Sequence, residues 1–67
     1  RDMSQANIVI NRLLKAEMAV PFDRQRHDLM QTERLRLMSA LQRRDAECIA
    51  ECTIESGRVL EMWGFGA

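Results

Sequence analysis

The sequence predicts an all-α fold, and three observations carry that expectation. Glycine and proline are sparse, with Pro21 near the first third and Gly57, Gly64 and Gly66 late. Long stretches are written in leucine, methionine, alanine, arginine and glutamate, all good helix formers. Tyrosine is absent, and β-branched residues never alternate with polar ones in the period-two pattern of a half-buried strand. The expected architecture is three amphipathic helices in an antiparallel bundle, over about residues 4–19, 23–42 and 46–63, forming part of a larger or oligomeric helical domain.

The first helix opens at Ser4, a suitable N-cap residue, and carries an apolar stripe at Met3, Ala6, Ile10, Leu13, Leu14 and Met18. Pro21 ends it, because the residue before a proline is pushed out of the α region. Asp23 caps the second helix, whose stripe reads Met30, Arg34, Leu37, Met38 and Leu41. Arg43 and Arg44 close that helix where cations complement its dipole, and Asp45 caps the third, with Glu47 in its first turn. The third stripe runs through Ile49, Cys52, Ser56, Val59, Leu60 and Trp63, with Gly64 as the C-terminal cap. Gly57 interrupts this helix at about 1 kcal/mol relative to alanine.

Arg34 and Ser56 are the polar members of the second and third stripes, at similar depth on either side of the Arg43–Asp45 corner. They are expected to face each other across an apolar seam. Glu17, at the edge of the first stripe, offers Arg34 a structural ion pair.

At 67 residues the chain makes one domain at most, and domains this small bury only about 60% of the surface their unfolded chain exposes. A first residue that is Arg1 rather than methionine points to a fragment, a processed product or a trimmed chain. Ten basic and ten acidic residues leave no formal net charge, against a dedicated nucleic-acid surface. Nine of the ten basic residues are arginine, the side chain suited to bidentate ion pairs. No run approaches the ~18 apolar residues of a membrane span and no signal peptide is visible, so a cytoplasmic setting is expected.

Catalytic and metal-binding residues are not expected. Cys48 and Cys52 share a helix face but lack further soft ligands, and are assigned to packing. His27 is the only histidine, flanked by Arg26 and Asp28, and is expected on an exposed face. There is no phosphate-binding glycine loop and no nucleophile with a histidine partner. No cofactor is implied. The terminal MWGFGA is open between an aromatic anchor for a partner and a lid on the bundle.

The stretch ERLRLMSALQRRDAECIAE resembles the hinge of the FCD domain, the ligand-binding half of FadR-branch GntR-type transcription regulators. That family carries a Glu-His pair, an apolar helix ending in Ala-Leu, a short basic stop, and Asp-Ala-Glu opening the last helix. Glu33, Ala40, Leu41, Asp45, Ala46 and Glu47 occupy those places here. Upstream, MSQANIVINRLLKAEM is similar to the family's helix that opens after a small residue and an asparagine, here Ala6 and Asn7.

The resemblance covers nearly the whole chain, as the C-terminal three helices of a domain that normally has six or seven. It implies a homo-oligomeric, non-enzymatic regulator that senses a small effector and contacts DNA only through a domain outside these residues. Where many members place metal-binding histidines, this chain has Arg34 and Ser56, and arginine has no lone pair to donate. The resemblance therefore implies no metal, and a cavity in which Arg34, with Ser56, grips an effector carboxylate directly. The pair with Glu17 is the competing role for Arg34. A small self-standing helical dimerisation or interaction module without a ligand is the alternative for the chain.

Overall fold

The computed structural model describes residues 3–66. Helices α1 (Ser4–Glu17), α2 (Arg24–Arg43) and α3 (Ala46–Met62) run up, down and up, and each packs against the other two. The body is 36 × 20 × 15 Å. No helix is long and apolar enough to cross a membrane among the described residues.

Each helix end has a chemical cause. The Asp23 carboxylate accepts from the Arg26 backbone N–H at 3.0 Å, and Asp45 accepts from that of Cys48 at 3.1 Å. Both bonds satisfy an amide that the first turn leaves without a helical partner. Helix α1 differs from expectation: its N-cap is Met3, which makes no side-chain capping bond, and Ser4 is the first helical residue. It also stops at Glu17 rather than Ala19. Arg26 braces this exit, its side chain donating to the carbonyls of Ala16, Ala19 and Pro21 at 2.8, 2.6 and 2.9 Å. One guanidinium thus ties the last turn of α1, through Ala16, to two carbonyls of the segment that follows it.

The ends of α2 and α3 share one geometry. At α3, Phe65 N–H donates to Leu60 O at 2.8 Å and Gly64 N–H to Glu61 O at 3.0 Å, with Gly64 at φ +83°. At α2, Asp45 N–H donates to Ala40 O at 3.2 Å and Arg44 N–H to Leu41 O at 3.1 Å. These are Schellman closures, which need a left-handed residue. At the α2–α3 corner that residue is Arg44, at φ 56°. Helix α3 accordingly ends at Met62, one residue before the expected limit, with Trp63 as cap.

The core is built from Ala6, Val9, Leu13 and Ala16 of α1, Met30, Leu37 and Ala40 of α2, and Ile49, Cys52, Val59 and Leu60 of α3. Full burial of a leucine or methionine contributes about 1.5–3 kcal/mol, so Leu13, Met30, Leu37 and Leu60 are its centre. The α3 stripe matches the expected one from Ile49 to Leu60, with Trp63 half-buried against the core. On α1 the inward line includes Val9 and Ala16, while Leu14 and Met18 face solvent.

Helix α2 is turned relative to the expected stripe. Its buried residues are Arg26, Met30, Glu33, Leu37 and Ala40, so the inward face is rotated by roughly a sixth of a turn from the Met30–Arg34–Leu41 line. The rotation puts Glu33 in the interior and moves Arg34 to the flank. Met38 then faces solvent.

Candidate functional site

Glu17 and Glu33 are acidic side chains within the buried set, at 3% and 5% exposure. They mark the two seams of α2. In the α1–α2 seam, Arg34 Nε donates to Glu17 Oε2 at 2.8 Å and Nη2 to Oε1 at 3.1 Å. This two-pronged match of planar guanidinium and carboxylate is the strong form of the ion pair. The Arg34 hydrogen bond holds the Glu17 carboxyl below its ordinary range, against a smaller opposing effect of burial. The same bond raises Arg34 further. Arg34 Nη1 also meets Met38 Sδ at 3.6 Å.

In the α2–α3 seam, the Ser56 hydroxyl donates to Glu33 Oε1 at 3.3 Å, and Arg36 Nη1 donates to Oε2 at 3.4 Å. The Arg36 side chain is 60% exposed, so it meets the carboxylate from the solvent side. The expectation that Arg34 and Ser56 face each other is corrected by this arrangement. Ser56 is fully buried, as its stripe requires, but its partner is Glu33. The α2 rotation is the physical reason, and the two polar residues belong to different seams.

Arg26 and Glu33 are the interior polar residues that the α2 stripe missed. Their signal is in the sequence: Arg26, Met30, Glu33, Leu37 and Ala40 also follow helical spacing, with two charged members. His27 is half-buried rather than exposed. Its Nδ1 lies 3.2 Å from the Glu17 carbonyl and its ring lies 5.4 Å from that of Phe22. At the chain's end, Phe65 packs on the core, its carbonyl takes Arg12 Nη2 at 2.7 Å, and its ring lies 5.8 Å from the Arg26 guanidinium. The terminal segment therefore closes this end of the bundle.

Two of the outer recesses flank α1. One, of ≈ 260 Å³, separates the first turns of α1 and α3, with Met3, Ala6, Ile49 and Ile54 in its wall. The other, a shallower groove between α1 and α2, is lined by Asn7, Ile10, Met38, Leu41 and Gln42. Neither wall includes Arg34 or Ser56. No protein-family model, curated protein or solved structure matches this chain.

Proposed function

We propose that these helices form part of the effector-binding and association domain of a bacterial-type transcription regulator of the FCD kind. The observation that carries this reading is the apolar surface the bundle leaves open. Leu14, Met18 and Met38 are exposed along the α1–α2 side, and Ile54 is exposed beside the α1–α3 recess. Contiguous exposed apolar surface usually marks a partner, and further helices of the same domain or of a second copy suit it. The capped corner Arg43–Arg44–Asp45, with Ala46 and Glu47 opening α3, supports the same reading, because it gives the resembling residues a local structural purpose.

In this reading the protein is cytoplasmic, homo-oligomeric and without enzymatic activity. It meets DNA only through a winged-helix domain outside these residues. A carboxylate effector would reach Arg34 by displacing Glu17 from it, while Ser56, buried against Glu33 in the other seam, takes no part in holding the same ligand. The two-bond Glu17–Arg34 pair favours the second reading, an association module with no ligand.

Sedimentation and thermal melting in the presence of small mono- and dicarboxylates test both. Self-association with a saturable rise in melting temperature supports an effector domain, since a ligand that binds only the native state stabilises it. Self-association with no response to any carboxylate supports the module. A folded monomer at high micromolar concentration contradicts both. A reading frame that continues upstream into a winged-helix pattern supports the regulator, and one that starts near Asp2 sinks it.

A further inference from the structure

Cys48 and Cys52 border the α2–α3 seam beside Arg36, and neither takes part in the ion pairs or in the proposed effector contacts. Their Sγ atoms are 3.8 Å apart on one face of α3, and Arg43 Nη2 donates to Cys48 Sγ at 3.5 Å. The pair borders a surface recess of ≈ 310 Å³ whose other walls are Arg36, Glu51 and Glu55. Cys48 is half-buried, and Cys52, anchored between the core residues Ile49 and Ser56, is 9% exposed. Burial and the neighbouring Cys48 sulfur push the Cys52 thiol up.

Three chemistries compete for such a pair. A disulfide is disfavoured, because four-residue helical spacing sends the two side chains in parallel rather than toward each other. A structural zinc site needs four ligands, and the described residues contain no group of three or more histidine, cysteine, aspartate or glutamate side chains placed to hold a metal. A soft ion satisfied by two sulfurs remains. Thiolates select copper(I), which has no need of further hard ligands. A linear arrangement about one ion needs the two sulfurs further apart than the observed 3.8 Å. Rotation of the half-buried Cys48 side chain supplies that difference while Cys52 stays fixed in the core.

We propose that Cys48 and Cys52 form a two-thiolate site for copper(I). Binding forms two sulfur–copper bonds, breaks two S–H bonds and releases two protons to solvent, with no change of oxidation state. The product carries one net negative charge. Arg43 and Arg36 offset that charge, and Glu51 and Glu55 at the rim oppose it.

The test is anaerobic titration of the 67-residue protein with copper(I) buffered by a chromophoric chelator. One ion per chain is expected, with Cys48→Ser and Cys52→Ser each weakening uptake at least about 100-fold, the scale on which a second tethered ligand acts. Wild-type uptake by either single variant overturns the site, as does one ion shared between two chains. Since Cys52→Ser alters a core position, phenylarsine oxide on the unmutated protein gives an independent measure. Two proximal thiols condense with it to a cyclic dithioarsenite and one water, so one adduct per chain with both thiols lost is expected. A folded protein that keeps both thiols free overturns the proposal.

Discussion

Glu17 and Glu33 are almost equally buried, yet the two seams of α2 treat them differently. In the α1–α2 seam a guanidinium covers both Glu17 oxygens, at 2.8 and 3.1 Å. In the α2–α3 seam Glu33 has a buried hydroxyl at 3.3 Å and a solvent-side arginine at 3.4 Å. Burying a carboxylate is expensive unless it is paired and fully bonded. Burial alone does not tell how much a charge matters to the fold. Glu17 depends on one partner, and Glu33 shares its charge between a weak bond and water-facing charge.

The largest expected effect comes from removing the single partner. Arg34→Met keeps the side chain's length and strands the Glu17 carboxylate, and should cost about 2–3 kcal/mol, below the 3–5 kcal/mol of a fully buried pair because Arg34 is partly exposed. Urea denaturation measures it. Acid should show the same dependence. The Glu17 pKa is lowered in the folded protein, so the unfolded chain binds that proton more tightly. The pair's contribution is complete above the ordinary carboxylate pKa of about 4.3 and disappears as pH falls through that value toward the lower folded one. Arg34→Met should lose this part of the acid dependence, measured by denaturation at stepped pH.

Smaller effects belong to the other seam. Ser56→Ala removes one hydrogen bond and should cost about 1 kcal/mol, below the ~1.5–3 kcal/mol of a bond to a charged group because at 3.3 Å it is long. A loss as large as that of Arg34→Met would erase the contrast between the seams. Arg36→Ala should change stability by no more than about 0.5 kcal/mol, because its side chain is mostly in water. Both are read from the same urea curves.

Helical content, the two aspartate caps and the α3 face were legible because each rests on local chemistry: propensity, an N-terminal amide to satisfy, and an uninterrupted stripe. The α2 face was not. Two overlapping stripes fit its sequence, and the apolar count favours the one through Met38 and Leu41. The structure uses the one through Arg26 and Glu33, because Arg26 closes the end of α1 and Glu33 meets Ser56. Both reasons are tertiary, involving residues 10 and 23 positions away, beyond what a single helix's periodicity carries. Glu17 as a neighbour of Arg34 was legible from its place at the edge of α1's stripe.

Arg34 is held by Glu17 within the folded chain rather than standing free. A double-mutant cycle tests it most directly, with urea denaturation of the wild type, Glu17→Gln, Arg34→Met and the double variant. The expected coupling is about 1.5–3 kcal/mol, at the upper end for directly bonded pairs, with the double variant recovering much of what Arg34→Met loses. Coupling near zero, together with an Arg34→Met protein as stable as the wild type or more so, would contradict the claim and leave Arg34 available to a ligand.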